Sequence, residues 1–258
     1  KIDINAKAVG GGGGGGGGGT PVGAFPPGFG TNDLDLTTAY RMILRADPPE
    51  TFIALKLADL TSSKINFATY VKELIDTAQT STAPALIVAN FIEGHTPTDG
   101  HLTELAAFAL QQFDAYTKMG AGQPGLGPYE ALGRGFSGTT AFMQAYGGGT
   151  DNAFVNLAYK NVFGRDATSA QTAHFADQVT YLENLYIKAG IGAAQADLFA
   201  RGAVLGQMLG FATLNEGPSH PYAAGANAFL LDAADGTVTY NAPLYTVAKT
   251  SSFVSDFV

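Results

Sequence analysis

The chain has 258 residues, of which 46% are hydrophobic and only 14% charged, and its net charge is −8. A chain of this length and apolar content can bury a core, as one large domain or as two small ones. Its 14 basic residues are scattered, which argues against nucleic acid and anionic membrane surfaces as partners, because phosphate binding needs clustered Lys and Arg. Without cysteine the chain has no disulfide, iron–sulfur cluster or thiolate zinc site.

The segments that could direct the protein to a membrane are missing from the sequence. No apolar stretch reaches about 18 residues, so we expect no membrane-spanning helix. No signal peptide is recognisable, and the sequence begins with Lys1. We expect a processed leader, a piece of a longer polypeptide, or export without an N-terminal signal. The weakly charged surface is common in secreted bacterial proteins and in subunits that pack against each other.

The first nine residues, KIDINAKAV, alternate between apolar and polar side chains. Ile2, Ile4, Ala6 and Ala8 fall on one side of this pattern. A period of two residues predicts a half-buried strand. Ten consecutive glycines follow, and then the segment GAFPPGFG, whose two phenylalanines we expect to be exposed.

An ordered glycine run needs neighbours that hold it. Fixing each backbone costs about 1–2 kcal/mol, and glycine lies at the upper end of that range. Our hypothesis is that residues 1–30 form an arm held in a groove between subunits, and that KIDINAKAV adds as a strand to a sheet edge of another copy. The alternative is a flexible tether.

From residue 31 to residue 226 the pattern is helical, and we predict one helical domain over this range. Glycine and proline dominate residues 120–135, where we predict an interruption between helices. The apolar stripe of the third helix comprises Phe67, Tyr70, Val71, Leu74 and Ile75. The predicted helices cover about Leu36–Arg45, the residues that follow up to Leu60, SSKINFATYVKELIDTAQTS, APALIVANFIEG, TDGHLTELAAFALQQFDAYTKMGAG, Phe136–Tyr146, Asn152–Phe163, Ser169–Ala189 and Ala193–Ala212.

Residues 227–258 form a predicted tail that mixes a short helix with β-prone sequence. Val238, Tyr240, Tyr245 and Val247 are typical strand residues. This segment is the natural acceptor for the N-terminal strand, so we expect both to take part in assembly.

An internal repeat runs through the helical region. VANFIEGHTPTDGHLTELAAFA resembles AYKNVFGRDATSAQTAHFADQV, and AYRMILRADPPETFIALKLADL is a weaker third copy. Each reads as a helix, a polar turn and a second helix. The predicted architecture is therefore mainly α: stacked αα-hairpins with a small β element from the N-terminal strand and the C-terminal tail.

The repeat copy AYKNVFGRDATSAQTAHFADQV resembles the unit of the DUF4214 family at Tyr159, Phe163, Gly164, Arg165 and Asp166. Over a longer range, GFSGTTAFMQAYGG, AVLGQMLGFAT and YAAGANAFLLDAADGT resemble, in order, segments of the N-terminal helical anchoring domain of the Caulobacter surface-layer (S-layer) protein.

The resemblance implies a helical domain at the cell surface of a Gram-negative bacterium that contacts the O-antigen sugars of lipopolysaccharide. It also implies a separate calcium-binding region that builds the lattice. The chain departs from that pattern because it lacks Gly/Asp-rich calcium repeats and carries the polyglycine arm. These departures put a calcium lattice in doubt and suggest a different way of joining subunits.

Sugar binding is the site interpretation that the resemblance favours, because aromatic faces beside amide and charged groups suit carbohydrates. The candidate residues in or beside predicted loops are Tyr129, Tyr146, Asn152 and Arg165, whereas Tyr159 and Phe163 are expected in the core. Asp232 and Asp235 are weak candidates for calcium, since they lack a third acid and the closing Glu of an EF-hand. His95 and His101 lack a third metal ligand at a diagnostic spacing.

No enzymatic motif fits the sequence. GFSGT lacks the strand that precedes a nucleophile elbow, and GLGPYEALGRG lacks the strand and the Lys-Ser/Thr of a phosphate loop. The leading prediction is a secreted, non-enzymatic surface protein without a required cofactor that assembles into a filament or lattice and adheres to polysaccharide. The alternatives are a monomeric glycan-binding adhesin module and, as the second, a glycan-processing enzyme.

Overall fold

The structure, a computed structural model, describes residues 25–26, 28–216 and 220–238. This part of the chain contains eleven α-helices and no strand, which confirms the predicted mainly helical fold. The predicted strand segments, residues 1–9 and 239–247, lie outside the described residues. The helices are α1 Asp33–Leu44, α2 Glu50–Thr61, α3 Phe67–Ala78, α4 Thr82–Glu93, α5 Asp99–Lys118, α6 Leu126–Phe136, α7 Thr140–Tyr146, α8 Asp151–Phe163, α9 Ser169–Lys188, α10 Ala193–Glu216 and α11 Pro221–Ala233.

Three turns between consecutive helices share one backbone geometry: α1–α2, α4–α5 and α8–α9. In each turn the first helix ends at a residue with a left-handed backbone, whose N–H donates to the carbonyl four residues earlier. The next helix begins five residues after it. These left-handed residues are Arg45 (φ 57°), Gly94 (φ 78°) and Gly164 (φ 67°). The predicted repeat is thus confirmed as three αα-hairpins, including its weaker copy.

Helix α4 lies at the centre of the helical body. Ten consecutive residues, from Ser81 to Asn90, are buried, and the helix packs against α5, α6, α7, α10 and α11. Its sequence TAPALIVANF is almost entirely apolar, as expected for a helix without a solvent-facing side. The first helix of the middle hairpin is therefore enclosed by its own partner α5 and by α6, α7, α10 and α11.

Helices α6 and α10 contact each other backbone to backbone. Gly202, Gly206 and Gly210 are four residues apart and lie on one face of α10. A Cβ atom added at Gly133 would lie 2.2 Å from the carbonyl oxygen of Gly202, and one added at Gly206 would lie 2.1 Å from that of Tyr129. No side chain fits at these positions, so the two helices approach as closely as their backbones allow.

The interruption predicted for residues 120–135 is confirmed for residues 120–125 and is wrong for residues 126–135, because α6 begins at Leu126. The glycines were interpreted as helix breakers, but those in α6 make room for neighbours. A Cβ atom at Gly127 would lie 2.6 Å from the ring of Tyr116, just as Gly133 admits α10. A second break lies at residues 137–139, between α6 and α7.

The C-terminal end of the described chain belongs to the helical body. The predicted domain boundary between residues 226 and 227 falls inside α11, and this helix packs against α1, α3 and α4.

None of the helices in the described ranges is both long and apolar enough to cross a bilayer, and this includes the 24-residue α10.

We predict that Gly206→Ala lowers the free energy of unfolding by about 1–3 kcal/mol, because the added methyl group forces α6 and α10 apart. Gly135→Ala is the matched control, because Gly135 lies in α6 and nothing stands within 4 Å of a Cβ atom added there. This control should gain about 0.5–1 kcal/mol from reduced backbone entropy of the unfolded chain. Urea unfolding followed by circular dichroism measures both. Equal effects of the two substitutions would show that the contact is not close.

Candidate functional site

The segment that joins the N-terminal arm to the helical body packs on α3. We call Phe25, Pro26 and residues 28–31 the arm anchor. The rings of Phe25 and Phe29 meet the ring of Phe67 edge to face, with centroids 4.8 and 5.4 Å apart. Both anchor rings are half-buried, so the expectation that they are exposed is wrong. The first residue of α3 supplies an aromatic surface that covers them.

Glycine is required within the arm anchor. Gly30 is buried with φ 89°, and a Cβ atom there would lie 2.3 Å from Cγ of Phe67. The Asp35 carboxylate then accepts hydrogen bonds from the N–H of Gly30 at 2.8 Å and of Thr31 at 3.2 Å. Asn32 caps α1 by accepting from the N–H of Asp35 at 2.9 Å, and its amide donates back to that carboxylate at 3.0 Å. The direction in which the anchor enters α1 is thereby fixed.

The described C-terminal end also lies against α1. Gly236 has φ 88°, and a Cβ atom there would lie 3.0 Å from Cγ2 of Thr38. Asp235 accepts hydrogen bonds from the N–H and hydroxyl of Thr237 at 2.9 and 2.6 Å, which closes the turn before Val238. Val238, a predicted assembly residue, is 44% exposed.

Both chain ends of the described structure therefore meet the same helix. Asp35 receives the arm anchor and Thr38 contacts the C-terminal turn, and three residues of helix correspond to a rise of about 4.5 Å. The predicted assembly residues Ile2, Ile4, Ala6, Ala8, Tyr240, Tyr245 and Val247 lie outside the described residues. The segments that contain them join the body at neighbouring points of α1.

We predict that Asp35→Ala lowers the free energy of unfolding by about 1–2 kcal/mol, since it removes three accepted hydrogen bonds at the start of α1. Asp33→Ala is the control, because Asp33 lies in the same helical turn and its carboxylate accepts only from the neighbouring N–H of Leu34 among the described contacts. Limited proteolysis around residues 25–31 should accelerate in the Asp35 variant alone. Equal proteolysis of both variants would contradict an anchoring role.

The four residues predicted to bind sugar divide into two buried and two exposed side chains. Tyr129 is completely buried beside the α6–α10 contact, and Tyr146 is 4% exposed at the end of α7. Asn152 and Arg165 are exposed. The two tyrosine rings therefore belong to the core and offer no stacking face to a ligand, because the glycine-rich stretches beside them are helical or folded inward.

Arg165 covers the aromatic end of the third hairpin. Its guanidinium carbon lies 5.0 Å from the ring centroid of Tyr159 and 5.9 Å from that of Phe163. Tyr159 is buried, as predicted, and Phe163 is half-buried. Arg165 therefore exposes its guanidinium above two aromatic rings. Together with Asn152, it is one of the two predicted sugar-binding residues that lie at the surface.

Arg201 is a buried functional group that the sequence analysis did not single out. It lies on α10, and its guanidinium holds the glycine-rich turn between α7 and α8. Its acceptors are the carbonyl oxygens of Tyr146 (3.2 Å), Gly148 (3.0 Å) and Gly149 (3.1 Å) and the carboxylates of Asp151 (3.2 Å) and Asp197 (2.8 Å). This arginine is saturated with acceptors, so its role is structural.

A second polar group, which we call the α6 cluster, joins four helices. It consists of Tyr116 on α5, Glu130 and Arg134 on α6, Tyr186 on α9 and Gln207 on α10, and all five are half-buried. The Gln207 amide donates to the Glu130 carboxylate at 3.2 Å. Because these residues are far apart in the chain, only the packing of four helices brings them together.

The two tyrosines of the α6 cluster are held in their protonated form. Burial, followed by the negative charge of Glu130, raises the pKa of Tyr116 well above its ordinary value. Burial also raises the pKa of Tyr186, although the positive charge of Arg134 acts in the opposite direction. The cluster therefore presents hydroxyl donors, a carboxylate, a guanidinium and an amide on a partly aromatic surface, which are the groups that bind neutral sugars.

The weak metal candidates are not assembled into a site. Within the described ranges, no group of three or more His, Cys, Asp or Glu side chains could hold a metal ion. The Asp235 carboxylate is engaged by Thr237. Nδ1 of His95 contacts the carbonyl of Thr96, and Nδ1 of His101 lies 3.8 Å from the Glu104 carboxylate.

Comparison with known proteins identifies one similarity. Residues 130–255 match the family model described as the RsaA N-terminal domain, which belongs to an S-layer protein. The match covers slightly less than half of the chain, including most of α6 and helices α7 to α11. No curated protein matches the chain. The C-terminal half is thus similar to an S-layer domain, whereas the predicted DUF4214 likeness is not shown.

Proposed function

We propose that this protein is a non-enzymatic building block of a bacterial surface assembly, a filament or an S-layer-like lattice on a Gram-negative cell. Subunits are joined by exchange of the N-terminal strand, and the helical body adheres to surface polysaccharide. The similarity of residues 130–255 to an S-layer domain supports the location. Because the chain carries a polyglycine arm, we propose that this arm joins the subunits, and not calcium-binding repeats.

The observation that carries the proposal is the position of both chain ends on α1. The arm anchor and the C-terminal turn are each tied to this helix, at Asp35 and Thr38 respectively. The described chain ends that lead to the proposed donor and acceptor segments therefore contact neighbouring residues of the same helix in every subunit. Residues 10–19 are glycines, which allow close backbone approach but supply no side-chain contact of their own. Neighbouring subunits supply the contacts that such an arm needs.

We predict that the double substitution Ile2→Lys and Ile4→Lys prevents assembly, because it places charges on the apolar side of the donor strand. Deletion of residues 1–20 should have the same effect. Light scattering after size-exclusion chromatography and electron micrographs of the purified protein measure the outcome: ordered assemblies for the unmodified chain, monomers for both variants.

The matched control is Asp3→Ser with Asn5→Ser, which changes the polar side of the same pattern and should leave assembly intact. Assemblies that survive the deletion unchanged would refute strand exchange. A folded chain that stays monomeric without any substitution would instead favour the alternative, a glycan-binding adhesin module.

The α6 cluster favours polysaccharide adhesion in either case. It has aromatic surface together with donors and acceptors of fixed direction, as sugar-binding sites require. It contains one carboxylate, Glu130, whereas glycoside hydrolysis by the usual route needs two carboxyl groups about 5–10 Å apart. We therefore propose binding without turnover.

We predict that Glu130→Gln together with Tyr116→Phe weakens binding to extracted surface polysaccharide by about tenfold or more, equivalent to about 1.4 kcal/mol. The reason is the loss of one charge-assisted acceptor and one hydroxyl donor. Tyr181→Ser is the control, since this tyrosine is 58% exposed on α9 and is not part of the cluster. Isothermal titration calorimetry gives the affinities. Stronger loss in the control would place the adhesive surface on α9 instead.

A further inference from the structure

Arg45 is a buried cation with too few partners. It is the left-handed residue that ends α1, and its side chain is only 4% exposed. One guanidinium nitrogen, Nη1, donates to the Asp99 carboxylate at 3.0 Å. Nε and Nη2 are buried and have no hydrogen-bond partner among the described residues. A guanidinium carries five N–H donors in a fixed plane, so this side chain is left largely unsatisfied.

The hydrogen bond from Nη1 to Asp99 places the Arg45 guanidinium beside the N-terminus of α5, which begins at Asp99. The Thr98 side chain, at the N-cap, makes no capping hydrogen bond. The first intrahelical bond runs from the N–H of Leu102 to the carbonyl of Thr98, so the N–H groups of residues 99–101 precede it and have no acceptor among the described residues. There is open space beside them, since nothing lies within 4 Å of a Cβ atom added at Gly100.

Neither the turn nor the fold requires an arginine at this position. The equivalent residues of the other two hairpins are Gly94 and Gly164, and glycine adopts a positive φ without the strain that a side chain causes. Asp99 is the only polar partner of the Arg45 side chain among the described residues, and its own side chain is 73% exposed. A strained backbone and buried guanidinium nitrogens without acceptors both oppose folding, and residues that do so are often ligand-binding residues.

We propose that Arg45 and the first turn of α5 form a binding site for a tetrahedral oxyanion, a phosphate or sulfate group. Such an anion accepts hydrogen bonds from the free N–H groups of the helix terminus and from the Nε and Nη2 edge of the guanidinium, which matches two of its oxygens. Binding includes a rotation of the Arg45 side chain, and the exposed Asp99 side chain moves aside to admit the ligand.

The test combines stability with anion binding. Arg45→Met keeps an unbranched apolar side chain and removes the unpaired donors, and the exposed Asp99 carboxylate is not buried by the change. We expect the melting temperature of this variant to rise in phosphate-free buffer. In a titration with inorganic phosphate, the unmodified protein should gain stability progressively, and the variant should bind at least about tenfold more weakly, by about 1.4 kcal/mol.

Arg41→Met is the matched control, because Arg41 lies on the same helix with an exposed side chain paired to Asp47. It should leave phosphate binding unchanged. Asp99→Asn removes the competing carboxylate and should tighten binding. Sodium chloride at equal ionic strength separates the specific effect from screening. A further arm compares inorganic phosphate and sulfate with a monosaccharide phosphate, and tighter binding of the sugar ester identifies a phosphorylated glycan as the source.

Two results would overturn the proposal. If phosphate stabilises the unmodified protein no more than sodium chloride does, no site exists. If Arg45→Met lowers the melting temperature while phosphate binding persists, Arg45 is a structural residue and the anion binds elsewhere. Both results are read on the complete chain, and Arg41→Met carries the same N-terminal arm, so any effect of subunit assembly is common to all the variants compared.

Discussion

The direct contact between the backbones of α6 and α10 is the constraint on which the helical body depends. Gly133, Gly202 and Gly206 have no room for a Cβ atom, so the helices approach more closely than side chains would permit. Close approach allows Cα–H groups of one helix to face carbonyl oxygens of the other, and each such contact adds a small attraction. Because α10 also packs on α8 and α9, and α6 on α4 and α5, this one contact sets the separation between the middle and the last hairpin.

The polar groups of the body follow from that separation. Arg201 can reach the turn between α7 and α8 because α10 is drawn inward beside α8, and there it replaces the water that the carbonyls of this turn would otherwise bind. The α6 cluster arises where Gly127 lets the Tyr116 ring lie on α6 close to Glu130. A structural site and a candidate binding site thus share one packing cause.

Helix α1 has a different role, since it connects the body to both ends of the described chain. Its first turn binds the arm anchor through Asp35, its middle contacts Gly236 through Thr38, and its last residue is followed by the strained Arg45. Events at the chain ends and at the oxyanion site we propose would therefore act on the same helix. This arrangement suits the strand exchange between copies that we propose.

The local sequence by itself determined the helix pairs and their turns. The apolar stripe that includes Tyr70 and Leu74 predicted the buried face of α3, and the spacing around Gly94 and Gly164 predicted the αα-hairpins, because helix periodicity and left-handed ends depend on neighbouring residues only. Whether the glycines near Gly133 break a helix or pack one was decided by α10, which lies some 70 residues away in the chain. The tertiary structure likewise decided the burial of the predicted sugar-binding tyrosines and the assembly of the α6 cluster, since burial and convergence depend on which helices meet.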